Sequence, residues 1–151
     1  MRRKDREMPG DFALKVADKC AFAVMATINA DGSPYCIPLS IVREGEWIYF
    51  HCAKEGRKID NLRCQNRVCI SCVGDVKAKD GEFSLEFESA VISGTAAEVQ
   101  DHEERIRALR LIGERYTPHL MAAFDGAIEK NLESTGVWKI HIDEISGKKR
   151  A

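Results

Sequence analysis

Apolar residues recur at two spacings along the chain, and the switch between them marks out the elements. Phe12, Ala13, Val16, Ala17 and Cys20 fall at helical spacing, which predicts a first helix over residues 11–20 with Asp11 near its cap. Strand patterning follows. Ala21–Asn29 is apolar at odd and even positions alike, which predicts a strand buried on both faces. Asp31-Gly32 is a turn signal, Tyr35–Val42 a second strand, and Glu44-Gly45 the next turn. Trp47–Cys52 and Val68–Val73 read as third and fourth strands. Phe83–Val99 reads as a long fifth, bent or bulged near Gly94. Asp101–Arg115 and Pro118–Leu132 are predicted helices, and Val137–Ile142 a last strand.

Six strands in hairpin order with helices outside them predict a mostly β fold, a small antiparallel barrel; an α+β sandwich is the alternative. Pro38 narrows the choice of strand position. It cannot donate to a ladder, so its strand is an edge there or is broken. The chain has no repeat, low-complexity tract or linker pattern, so residues 1–151 read as one domain.

Composition excludes several classes. The 151 residues are 44% hydrophobic and 31% charged, enough to bury a core, and the net charge is -1. A generic nucleic-acid binder would be strongly basic and would carry an aromatic-basic strip, so that class is set aside. No apolar run reaches the roughly 18 residues of a membrane span. Residues 1–7 are charged and lack the apolar stretch of a signal peptide, so a cytoplasmic location is expected. The six cysteines are then expected as reduced thiols. Cys69 and Cys72 are three positions apart on one strand, which sends them to opposite faces and makes them poor partners for a metal. His102, His119 and His141 have no metal-ligand spacing to one another or to cysteines, so no metal site is expected.

The chemistry concentrates in residues 50–62. A strand ends at Cys52, Gly56 turns the chain, and Arg57-Lys58 opens a short helix that Ile59 and Leu62 anchor. Orphan N–H groups and the dipole at a helix start favour an anion, and the two cations add full charges. Arg grips phosphate with two donors while Lys acts as a point charge. The segment reads as a phosphate cradle, against the plainer reading of a solvated helix start. His51 shares a strand face with Trp47 and Tyr49, and Ile48, Phe50 and Cys52 take the other. It is read either as a hydrogen-bonded structural residue or as a residue bordering a ligand.

These residues, in this order, resemble a known family. Residues 26–39 form a strand pair around Asp31-Gly32; Tyr49-Phe50-His51-Cys52, Gly56-Arg57-Lys58 and Asn66-Arg67-Val68 follow. The arrangement is similar to the FMN-binding split barrels related to pyridoxamine 5'-phosphate oxidase. Residues 1–7, the Phe50–Lys58 segment and Ile145-Ser146-Gly147-Lys148 look most like the nitroimidazole-resistance (Nim-type) branch. The resemblance implies a six-stranded split barrel, a homodimer and FMN at the dimer interface. It implies that Arg57 and Lys58 bind the FMN phosphate, that His51 and Cys52 line the flavin, and that Cys36, Ile37, Pro38 and Leu39 run along its ring. Ser89 falls where the oxidases carry a flavin-contacting glutamine, and a serine is shorter. The oxidases' carboxy-terminal arginine and tryptophan pattern is not recognisable, which argues against pyridoxamine phosphate as substrate.

FMN is an apolar ring with a polar edge and a dianionic tail, and the chain offers an apolar wall, backbone donors and a cationic clamp. The expectation is an FMN-dependent oxidoreductase that reduces a small oxidised substrate by two electrons, such as a nitro-aromatic, with His51 as its proton-handling residue. The electron donor is open. The alternative is a non-enzymatic flavin- or haem-binding protein on the same barrel.

Overall fold

The computed structural model describes residues 2–151. Its strands are β1 (Glu7–Met8), β2 (Ala23–Ile28), β3 (Pro34–Leu39), β4 (Val42–Glu44), β5 (Trp47–Ala53), β6 (Arg67–Ala78), β7 (Leu85–Glu98) and β8 (Thr135–Arg150). Four α-helices accompany them: α1 (Gly10–Lys19), α2 (Arg57–Cys64), α3 (His102–Tyr116) and α4 (Phe124–Asn131).

The strands form one antiparallel sheet in the order β3-β2-β6-β7-β8-β5-β4, with β1 added beside β8. Its two edges, β3 and β4, are consecutive in the chain and joined only through Ser40-Ile41. The sheet therefore curls until its edges meet, and a covalent link stands where a closed barrel would have a hydrogen-bonded ladder. This is a split barrel. Each of the six strands expected from the pattern has a counterpart, with β1 and β4 as further short strands, β4 starting at Val42, the last residue of the expected second strand.

Pro38 lies on the edge strand β3, opposite Val24, where its missing N–H costs no ladder bond on the open side. The β2–β3 turn is held by Asp31, whose Oδ1 accepts from the Ser33 N–H at 2.9 Å. The expected bulge is found where the β7–β8 register shifts between Ser93 and Gly94. Gly94 is required there: a Cβ would stand 2.5 Å from the His141 carbonyl oxygen.

The core fills the barrel. Met25, Ile48, Phe50, Ile70, Ile92 and Ile140 are fully buried, and α1 closes over them with Ala13, Val16 and Ala17. A second cluster lies outside the wall, where Ala108 and Ile112 of α3 pack on Val42, Tyr49, Val99 and Val137. Asp101 caps α3 by accepting from the Glu104 N–H at 2.8 Å. Glu104 in turn accepts from the Tyr49 hydroxyl at 2.8 Å and the Lys139 ammonium at 2.9 Å. Burial, and then the Glu104 carboxylate, push the Tyr49 pKa up to about 12, so the phenol keeps the proton that pins the helix to the sheet.

Four expectations change. β2 is buried on one face only: Ala23, Met25 and Thr27 point inward, while Val24 and Ile28 are 36% and 39% exposed. The expected strand over 35–42 is two strands on opposite sheet edges. The expected helix over 118–132 is a 3-10 turn (Pro118–Ala123), α4, and a second 3-10 turn (Leu132–Ser134). β6 and β8 run on to Ala78 and Arg150, past the expected ends. The extra residues of β6 are mostly exposed and pair with β7, whereas in β8 the continuation also packs Ile145 against the core and buries Gly147. No described helix is long and apolar enough to cross a membrane.

Candidate cofactor site

The site grows from the end of β5. This strand pairs with β8 through Ala53, then the chain leaves the sheet and reverses at Gly56, whose φ of +124° lies where side chains other than glycine are strained. The Gly56 carbonyl accepts from the N–H groups of Ile59 and Asp60, at 2.9 and 3.0 Å, and α2 begins. No side chain caps it. The N–H groups of Arg57 and Lys58 fall in the first turn, where a helix has no carbonyl to offer them.

The two cations are placed differently. The Arg57 guanidinium lies over the Tyr35 ring, 5.1 Å from its centroid, beside β3. The Lys58 ammonium lies 5.5 Å over Phe50, toward the end of β5. Its charge reaches two neighbours. The His51 pKa is lowered, by burial first and by Lys58 second. The Cys52 thiol is pushed up by burial, with Lys58 opposing. At neutral pH His51 is an uncharged imidazole and Cys52 a protonated thiol.

A buried polar bridge fixes α2 against the sheet. Asn61 Nδ2 donates to Thr27 Oγ1 at 2.9 Å and to Asn29 Oδ1 at 3.0 Å. Thr27 is fully buried and its hydroxyl donates to the Tyr35 carbonyl. Ile59 and Leu62 fill the core below. This bridge was not read from the sequence. The signal was present: a polar residue between two apolar anchors of a short helix must find partners if it is buried.

Arg57, Lys58, His51, Cys52 and the Tyr35 end of β3 are thus brought together. Within β3, Cys36 and Pro38 are exposed on the outer face, whereas Ile37 and Leu39 turn inward and pack on the core. Ser89 is not part of this group in a single chain. Leu39 pairs with Ala23, Ala23 with Cys72 and Cys72 with Ala90, so Ser89 lies beside the row of Leu39 but three strands across the sheet from β3, roughly 14 Å at strand spacing. Cys72 is buried and Cys69 exposed, as their offset of three requires. Among the described residues, no group of three or more His, Cys, Asp or Glu side chains is placed to hold a metal.

His51 faces away from the core. It lines a hollow of about 380 Å³ between the sheet, α3 and α4. The side chain is open in area yet crowded by protein, as on the wall of a concave site, and that crowding lowers its pKa.

The family profile described as pyridoxamine 5'-phosphate oxidase matches residues 14–149, so the chain belongs to this family. Among solved structures, it is similar to a candidate 5-nitroimidazole antibiotic resistance protein of Bacteroides thetaiotaomicron: TM-score 0.81, 26% identity, 95% of this chain and 86% of that one covered. A flavocytochrome of Azotobacter vinelandii shares the fold at TM-score 0.78 and 23% identity, over 100% of this chain and 72% of that one. So does a haem storage protein of Vibrio cholerae, at TM-score 0.68 and 17% identity, over 94% and 96%. No curated protein matches in sequence.

Proposed function

We propose that this chain binds FMN and uses it to reduce a small oxidised substrate by two electrons. The uncapped start of α2 carries the reading: two first-turn N–H groups and two cations open beside a neutral imidazole and an exposed strand edge. A phosphate ester suits those donors, and the outer face of β3 at Cys36 and Pro38 suits a flat apolar ring. Bound flavin would supply the electron transfer. The protein residues do the rest. Arg57 and Lys58 hold the phosphate, and Asn61 keeps α2 in register with β2. His51, neutral with one N–H and one bare nitrogen, donates a hydrogen bond from its ring N–H as charge develops on the substrate. The similarity to a candidate nitroimidazole-resistance protein makes a nitro-aromatic the first substrate class to test.

A second copy belongs in this reading. Val24, Ser71 and Val91 form one cross-strand row on the outer face of the sheet, and the two valines are 36% and 43% exposed. A symmetric dimer would cover these two valines. The test is the absorbance spectrum of the purified protein before and after added FMN, followed by turnover with a reductant and nitro compounds. A bound flavin spectrum and nitro reduction are expected. A haem spectrum, or bound flavin with no turnover, contradicts the enzymatic reading.

A further inference from the structure

The partners of Arg57 and Lys58 are aromatic rings. Among the described residues, neither side chain donates a hydrogen bond or pairs with a carboxylate; one lies over Tyr35 and the other over Phe50. Other cations of the sheet are committed to carboxylates: Arg43 to Asp18 at 2.6 Å, and Lys139 to Glu104 at 2.9 Å. A carboxylate is at hand near Arg57 too, in the β2–β3 turn, but it is turned elsewhere. Asp31 accepts from the Ser33 N–H at 2.9 Å, and its pKa is lowered by the Ser33 contacts first and by the Arg57 charge last.

The contact between Arg57 and Tyr35 is built from both sides. Arg57 and Asn61 stand four residues apart on α2 and so share one helix face. Asn61 Nδ2 donates to Thr27 Oγ1 at 2.9 Å, and the Thr27 hydroxyl donates to the Tyr35 carbonyl at 3.3 Å. Thr27 and Tyr35 are also ladder partners of β2 and β3. One buried bridge thereby registers the helix that carries the guanidinium against the strand that carries the ring. Arg57 is exposed and Tyr35 half-buried. An exposed arginine left alone samples many rotamers, and ordering it opposes binding. A carboxylate would order it but would occupy the N–H donors that a phosphate needs. The face of a ring attracts the cation and occupies none of those in-plane donors.

We infer that Tyr35 is a positioning residue for the phosphate grip: its ring holds the Arg57 guanidinium in place while leaving the guanidinium donors open to the anion. The inference rests on the reading of the α2 start as an FMN phosphate cradle. Tyr35 acts through Arg57 and through its ring; its hydroxyl makes no hydrogen bond among the described residues.

Equilibrium titrations of FMN and riboflavin into the full-length protein compare wild type with Tyr35→Phe, which keeps the ring, and with Tyr35→Leu and Tyr35→Val, two ring deletions checked for folding by circular dichroism. The ring deletions are expected to weaken FMN by roughly 3- to 5-fold, the scale of an exposed cation–π contact, and to leave riboflavin unchanged. Tyr35→Phe is expected to bind FMN as wild type does. In an Arg57→Ala background the ring deletions are expected to have no further effect. A second readout needs no flavin: the Arg57 Nε–H resonance, assigned by its loss in Arg57→Ala, is followed by NMR as inorganic phosphate is added. It is expected to carry the upfield shift of a group over a ring in wild type and Tyr35→Phe, to lose that shift in the ring deletions, and to answer phosphate about 3-fold more weakly there. Equal weakening of FMN and riboflavin overturns the inference, because the ring would then touch the flavin itself. So does a loss in Tyr35→Phe as large as in Tyr35→Leu, a loss that persists without Arg57, or an Arg57 signal that is the same with and without the ring. A wild type that does not prefer FMN to riboflavin, with the ring-dependent response of Arg57 to phosphate intact, removes the flavin reading and leaves Tyr35 as the positioning residue of an anion site.

Discussion

At the scale of single residues, His51 and Gly94 carry consequences that can be measured. His51→Gln keeps a hydrogen-bonding side chain but cannot exchange a proton near neutrality. It should retain the fold and most FMN binding while slowing substrate reduction by roughly 10²-fold or more. Turnover equal to wild type across pH 5.5–8.5, with flavin bound, would make His51 only a wall of the pocket. The same residue affects stability. Its pKa is lowered in the folded protein, so the unfolded chain takes up the proton first as pH falls. Stability from the neutral ring is present above about pH 6.5, the unperturbed value, and declines as pH falls through the folded value. Denaturant titrations below pH 6.5 should show a shallower decline in His51→Gln than in wild type. Gly94→Ala meets backbone, since its Cβ would lie 2.5 Å from the His141 oxygen. It should cost about 2–3 kcal/mol by chemical denaturation; a neutral effect would mean that the bulge relaxes freely.

Among the elements, α2 matters most, because its start is the proposed phosphate site and its middle is its anchor. Asn61→Ala leaves the Thr27 hydroxyl and the Asn29 amide oxygen short of a donor in a buried setting. The expected loss is about 1–3 kcal/mol in a denaturant titration, and an unchanged midpoint would show that the bridge is dispensable. The turn at Gly56 and the short helix after it were legible in the sequence because a glycine precedes an apolar i, i+3 pair. Pro38 announced an edge strand for a similarly local reason. The ends of β6 and β8 were not legible: β6 beyond Val73 is mostly exposed and held by pairing, and in β8 the register shift after Ile142 breaks the alternation before Ile145 returns to the core. The break between α4 and its neighbouring 3-10 turns was hidden as well. Leu120, Phe124 and Ile128 keep helical spacing across it, yet they face a hollow rather than a core. Periodicity reports which side is apolar, not what fills the space opposite.

For the whole molecule, the apolar pattern of β2 predicts burial on both faces, and a single chain buries only one. In the proposed dimer, the exposed Val24 and Val91 on the open face would meet the second copy. Val91→Asp should convert a dimer to a monomer by light scattering and release FMN with it; a wild-type monomer that holds FMN tightly would contradict the shared site. The phosphate is tested by equilibrium titration of FMN and riboflavin into wild type, Arg57→Ala and Lys58→Ala. Each substitution should weaken FMN by about 1.5–3 kcal/mol, the scale of a charge-assisted hydrogen bond, and leave the already poor binding of riboflavin nearly unchanged. Equal affinity of the wild type for FMN and riboflavin would contradict a phosphate cradle at the start of α2.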